Sequence, residues 1–238
     1  MEKLKGKRVL IAGASGDIGS ATARQLAQSG AQVFLTGRDQ TVLDQLAHEL
    51  GIPAEQVFVA DLSVESQVNA LATAFSATTV PFDILIQASG VGIIKPFEQL
   101  VSEDLHTSMA VNFYSTFYLL KACLPAMKAQ GKGLIIHLPG VLGKTPMAGA
   151  SVYAASKYAL NGFMKSLREE LKRTEIRITQ VFLGGVDSGF WDNIDLRVQR
   201  DKMIRPDEVA KAIWFLCQQP ESGVVSELVL QPFNHQAI

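Results

Sequence analysis

The stretch Val9-Leu10-Ile11-Ala12-Gly13-Ala14-Ser15-Gly16-Asp17-Ile18-Gly19 decides the fold class. Its first four residues form a short, continuous apolar run, the pattern of a parallel strand buried on both faces. Small residues then make a tight turn, and Ile18 to Gln28 has the spacing of a helix. A strand, a small-residue turn and a helix N-terminus make a cradle for phosphate. The backbone can approach closely, and unpaired N–H groups at the positive dipole end face the anion. The expected ligand is the pyrophosphate of a dinucleotide, held at Gly13, Ser15, Gly16, Asp17, Ile18 and Gly19.

Outward from this stretch, strand-length apolar runs alternate with helical periods. The runs are Val33–Thr36, Val57–Ala60, Asp83–Ala88, Leu134–Leu138, Ile176–Leu183 and Glu227–Leu230. Between them lie helical stretches at Leu43–Leu50, Val64–Phe75, Ser102–Ala129, Ser151–Lys172 and Pro206–Gln218. In the long one, Leu105, Met109, Phe113, Thr116, Phe117 and Leu120 are expected to form the apolar side, with Pro125 bending or shortening its far end. Regular β-α alternation without repeats or linkers predicts one doubly wound α/β domain over residues 1–238, a mostly parallel seven-stranded sheet with helices on both faces. Its ligand site belongs at the carboxyl ends of the strands.

Composition narrows the function. The 238 residues carry 22 basic and 23 acidic side chains, a net charge of −1, with no long run of either sign. Nucleic acid and anionic membrane are poor partners for such a chain. The amino-terminal segment Met1–Lys7 precedes an apolar run too short for a signal peptide, and no apolar stretch has membrane-spanning length, so a cytoplasmic protein is expected. Cys123 and Cys217 lack zinc or redox spacing and read as buried free thiols. His48, His106 and His235 have no partner pattern, and His137 reads as a satisfied packing residue on a strand. No metal-ligand cluster is visible.

Cofactor choice is read after the second strand, where an acidic residue would bind the ribose hydroxyls of NAD. The chain has Thr36-Gly37-Arg38 there, and the Arg38 guanidinium suits a 2′-phosphate, so NADP is expected. Asp39 can cap the following helix.

Tyr153 and Lys157 are spaced i, i+4 in Ser151–Leu160, which puts both on one helical face. A phenol beside an ammonium can move a proton. Lowering a tyrosine pKa from about 10 by about three units requires roughly 4 kcal/mol of differential stabilisation of the phenolate.

The glycine-rich turn, together with Tyr153-x-x-x-Lys157 on the fifth crossover helix, resembles the short-chain dehydrogenase/reductase family from Lys7 to about Pro232. The resemblance implies a Rossmann fold and hydride transfer between a nicotinamide and a ketone or alcohol. Tyr153 would be the acid/base, Lys157 would hold the nicotinamide ribose and lower the tyrosine pKa, and Asn112 would support the lysine through a water. Asp61-Leu62 would contact adenine, Ala88-Ser89-Gly90 would lie beside the cofactor, and Gly184, Val186 and Ser188 would lie at the carboxamide. Residues 188–204 would form a substrate lid, in which Phe190 and Trp191 serve as an apolar wall or as packing. The resemblance also implies a homodimer or homotetramer built on the helices at Ser102–Ala129 and Ser151–Lys172.

The departures matter as well. Gly140 stands at the family's catalytic serine position, thirteen residues before Tyr153, and has no hydroxyl to offer. Loss of one such donor costs about 10²–10³ in rate. Gly140→Ser would then raise activity, unless Thr145, Ser151, Ser89 or Ser188 already substitutes; Ser151 reads as a helix cap. A non-catalytic NADP-binding sensor or scaffold is the alternative that Gly140 favours. Asp17 replaces a glycine, Gln87-Ala88-Ser89-Gly90 replaces Asn-Asn-Ala-Gly, and Leu183-Gly184 replaces Pro-Gly. The tail after Glu227–Leu230 has no assigned role.

Overall fold

A computed structural model describes residues 4–77 and 81–234; the start of the amino-terminal segment and His235 lie outside them. Its strands are β1 (Arg8–Ala12), β2 (Gln32–Gly37), β3 (Val57–Val59), β4 (Ile84–Gln87), β5 (Lys132–His137), β6 (Glu175–Leu183) and β7 (Glu227–Leu230). They make one seven-stranded sheet in the order β3-β2-β1-β4-β5-β6-β7, and each pairing is parallel. The helices between them are α1 (Asp17–Gln28), α2 (Gln40–Leu50), α3 (Glu65–Ala77), α4 (Ser102–Ser108), α5 (Ser115–Gln130), α6 (Ser151–Leu171) and α7 (Pro206–Leu216).

Side chains alternate across a strand, so each apolar run feeds two cores. Ile84 and Ile86 join Leu26 of α1, Leu43 of α2 and Ile213 of α7 on one face. Leu85 between them joins Val68 of α3, Leu119 of α5 and Met164 of α6 on the other. This is why the strands read as continuous apolar runs rather than alternating ones. From β1 the chain builds outward to β2 and β3, and from β4 it builds the other way. The crevice of the fold opens at that reversal.

The helix expected over Ser102–Ala129 is instead broken by a π-helical turn at Met109–Tyr114. That wider turn rotates the segment after it, and of the expected apolar row only Thr116 and Leu120 are buried. Leu105 and Phe117 are exposed, while Ser108, Asn112, Ser115, Thr116 and Leu119 point inward. Pro125 lies inside α5, which continues to Gln130. Ser151 is the first residue of α6 rather than its cap; Ala150 holds that position without a side-chain bond. Asp39 does cap α2, accepting from Val42 N at 3.0 Å. Among the described residues no helix is long and apolar enough to cross a membrane, and no cluster could hold a metal ion.

Candidate active site

A cavity of about 820 Å³ opens over the carboxyl ends of β1, β2 and β4. Gly13, Ser15 and Gly16 of the turn line it, as do Arg38 after β2 and Asp61 and Leu62 after β3. A second cavity, of about 640 Å³, lies over the ends of β4, β5 and β6. Ala88, Ser89 and Gly90 border both, so the two are halves of one crevice. Ile18, Gly140, Tyr153 and Lys157 face the second half, with Gly184, Val186 and Ser188.

Two of the turn residues expected to hold the pyrophosphate, Asp17 and Gly19, line neither half. A Cβ on Gly19 would come within 2.1 Å of the Gly13 carbonyl oxygen, so glycine there lets α1 close on the turn. The Asp17 carboxylate accepts a hydrogen bond from Gly189 N at 2.7 Å and ties the turn to the segment after β6.

Asn112 occupies the π-helical turn, a distortion that often marks functional sites. Its amide donates to Val91 O and Ser156 Oγ, both at 3.0 Å, and its oxygen accepts from Val91 N at 2.9 Å. The side chain therefore clamps the loop after β4 onto α6, and it makes no bond to Lys157. Asp61 binds its own loop, accepting from Ser63 N and Oγ. Ser89 donates to Gln87 Oε1 at 3.0 Å, and Ser188 leans back on Val186 O at 3.4 Å.

Tyr153 and Lys157 share one face of α6, with Nζ 5.6 Å from the centre of the phenol ring. Lys157 is only 3% exposed. Burial pulls its ammonium down to about 8 and pushes the Tyr153 phenol above its ordinary value. In the protein alone, both groups are thus driven toward their neutral forms. The sequence reading put the lysine in control of the phenol; desolvation of both is the larger effect here, because no hydrogen bond links them.

His137 is not the satisfied packing residue expected. It is buried, and its Nδ1 has no partner among the described residues. Burial, with a smaller contribution from the Lys157 charge, holds its pKa down at about 3, so the ring is neutral. It stands in register between Gln87 and Gln180. These three polar side chains follow the apolar residues Leu85, Ile135 and Ile178 on the same sheet face.

Gly140 has φ 74° and ψ 165°, a conformation nearly confined to glycine. A Cβ built on it would make ordinary van der Waals contacts, 3.7 Å from Leu183 O and 3.9 Å from the Tyr153 hydroxyl. The side chain of a serine would thus be aimed correctly, but the backbone would hold it under strain. Gly140→Ser is therefore expected to lower stability by about 1–3 kcal/mol without raising turnover, contrary to the reading from sequence. Thermal melts and rates on one preparation check this; a faster enzyme with an unchanged melt would show that the loop relaxes freely. Of the other hydroxyls considered, Thr145, Ser89 and Ser188 line the second half of the crevice, and Ser151 does not.

The segment after β6 folds over the second half. The Phe190 ring lies 5.9 Å from the Tyr153 ring and fills the space a side chain on Gly92 would need. Trp191 Nε1 donates to Val186 O at 2.9 Å, so both aromatic residues line the cavity and also pack. Arg200 fixes the base of this segment through Asp187, Asp192 and Ser188 O. Sequence reasoning included Arg197, Lys202 and Met203 only as part of the segment 188–204 and did not single them out; they reach the cavity because Val186 bridges to Ile204. It also missed the tail, where Gln231 and Pro232 close the cavity beside Gly184. Neither group has a local pattern that would announce it.

The family model for short chain dehydrogenases matches residues 7–198. An uncharacterized oxidoreductase of Staphylococcus epidermidis is 32% identical over 232 residues, covering 98% of this chain and all of that protein. An NADP-dependent 3-hydroxy acid dehydrogenase of Escherichia coli is 28% identical over 236 residues, covering 94% of each chain. Among solved structures, an alcohol dehydrogenase from Thermococcus sibiricus complexed with 5-hydroxy-NADP superposes with a TM-score of 0.87 at 27% identity, over 98% of this chain and all of that one. With a match spanning most of its length, the chain belongs to the short-chain dehydrogenase family of oxidoreductases.

Proposed function

We propose that the protein interconverts a ketone and an alcohol with NADP as cofactor. The observation that carries this reading is the position of Tyr153 and Lys157. They lie side by side in the half of the crevice that continues into the phosphate turn. The residues present fit a dinucleotide. Cβ atoms on Gly13 and Gly19 would clash with backbone at the turn, Arg38 lines the far end with no ion pair or side-chain hydrogen bond among the described residues, and no acidic side chain lies at position 37. The NADP named for the Escherichia coli relative and for the Thermococcus structure supports the same choice.

When bound, the cofactor supplies hydride to the carbonyl carbon, or accepts it in the reverse direction. Tyr153 gives its hydroxyl proton to the carbonyl oxygen as that carbon is reduced. Lys157, when charged, stabilises the phenolate left behind. Asn112 holds the loop after β4 and the first turn of α6 together, so the proton donor keeps its place. Phe190 and Trp191 exclude water from above. Residues 188–204 act as a lid on one domain. An aromatic cluster supports a homodimer or homotetramer: Phe113, Tyr114, Phe117, Tyr118 and Phe163 meet at centroid distances of 5.6–6.3 Å, with Tyr114 and Phe117 exposed. Gly140 favours a second reading, an NADP-binding sensor without turnover.

The test pairs binding with turnover. NADPH is expected to bind at least about tenfold more tightly than NADH, and Arg38→Asp to reverse that order, because one charge-assisted contact to the 2′-phosphate is gained or lost. Ketone-dependent loss of nicotinamide absorbance should accompany it. Equal dissociation constants for the two dinucleotides would overturn the cofactor choice, and binding without turnover on any ketone would favour the sensor.

A further inference from the structure

The half of the crevice that holds Tyr153 has an unbalanced charge. Its lining includes Lys157, Arg197 and Lys202, and no Asp or Glu among the described residues. The carboxylates nearest to these cations in the chain, Asp195 and Asp201, are exposed and do not line the cavity, and the next ones are engaged elsewhere. Asp187 and Asp192 are both bound to Arg200, and Asp17 accepts from Gly189 N. Arg197 and Lys202 take part in none of the ion pairs or side-chain hydrogen bonds among the described residues, whereas Arg200 between them makes three. Two cations without an ion-pair partner among the described residues thus stand on the lid side of a cavity whose floor holds the proton donor. Most of the remaining wall is apolar, with Ile94, Leu142, Met147, Phe190 and Met203.

We infer that the substrate is a carbonyl compound bearing a carboxylate, with Arg197 and Lys202 holding the acid group while the carbonyl oxygen reaches Tyr153. The inference rests on the reading of the site as a carbonyl reductase and adds the class of compound it takes. Arg197 offers a planar fork that matches a carboxylate with two parallel bonds, and Lys202 a movable point charge beside it. The apolar wall between acid and carbonyl accommodates a carbon chain or ring. Phe190 and Trp191 also shed water from the site, which strengthens each charged contact inside it. A neutral ketone of the same shape would leave both cations uncompensated.

The experiment compares an oxo acid with its methyl ester and with a phosphorylated ketone of similar length, each with NADPH, in the wild-type protein, Arg197→Ala, Lys202→Ala and the double variant. In the wild type kcat/KM for the acid should exceed that for the ester by about tenfold or more, carried mainly by KM. The double variant should lose most of that ratio while its NADPH dissociation constant stays within about twofold of wild type. Trp191 lines the same cavity, so its fluorescence gives a second readout. The acid, and not the ester, should perturb it in the NADP complex of the wild-type protein.

Equal kcat/KM for acid and ester in the wild type would overturn the inference and leave the reductase reading standing. A weakened NADPH affinity with the acid-to-ester ratio intact would also overturn it, by assigning both cations to the cofactor. Preference for the phosphorylated ketone over the acid would replace the carboxylate with a phosphate. No turnover of any of the three, with NADPH bound, would remove the reductase reading and the inference with it.

Discussion

Tyr153→Phe is expected to cut turnover by about 10³-fold or more while leaving the fold and the NADPH dissociation constant close to wild type. The substitution removes one oxygen and keeps the ring, so the contacts with Phe190 and Lys157 persist. That hydroxyl has no protein partner among the described hydrogen bonds, and burial already disfavours its ionisation. Removing it therefore leaves no stranded donor or acceptor in the protein, and the melting temperature should hold or rise slightly. The chemistry has no comparable reserve. Proton transfer by a positioned side chain is worth about 10²–10⁴ in rate, and the neighbour that would share the load is Gly140, which has none to share. Single-turnover absorbance, with fluorescence titration of NADPH on the same sample, separates the two effects. A Tyr153→Phe protein that retains more than about a tenth of the wild-type rate would move the proton to another group, Thr145 or a water. Loss of NADPH binding would mean that the hydroxyl serves the cofactor instead.

How far the sequence carried this site depends on how local each signal is. The sheet was legible because its central strands are buried on both faces, which turns Leu10, Leu85 and Ile135 and their neighbours into continuous apolar runs. The phosphate turn and the Tyr153–Lys157 pair were legible because a turn and an i, i+4 spacing are short-range features. The π-helical turn was not. Its extra residue per turn has no sequence signature, and assuming a regular helix placed Leu105 and Phe117 inward when they face out. Residues 188–204 were legible only as a region, and the tail was not legible at all. Arg197, Lys202 and Gln231 reach the cavity through the Val186–Ile204 bridge and the end of β7, contacts between residues far apart in the chain. Gly140 was read as a missing hydroxyl, and its backbone conformation was not foreseen. Only φ of 74° shows that the backbone of the loop itself, and not just one side chain, calls for glycine.

Lys157→Met should make the unliganded protein more stable at neutral pH and nearly inactive. The ammonium is almost fully buried, and burial alone takes its pKa from the ordinary 10.5 to about 8. Keeping it charged below pH 8 costs the folded state roughly 3 kcal/mol. Methionine fills similar space without that charge. It also strands nothing: the Asn112 amide, the polar group beside it, is already engaged with Val91 and Ser156. The sign follows from proton counting. Between about pH 8 and 10.5 the unfolded chain holds the lysine proton and the folded chain does not, so wild-type stability rises with pH across that window. Below it the full penalty applies, and above it none does. Urea denaturation at pH 7 should therefore show the variant ahead by about 1–3 kcal/mol, and the gap should narrow as pH approaches 10. A variant less stable than wild type at pH 7, or a gap that does not change with pH, would show that the lysine is stabilised in the fold by contacts that outweigh its burial. The expected combination, a gain in stability with a loss of proton transfer, would mark Lys157 as a charge that the fold tolerates for the sake of the phenolate on Tyr153.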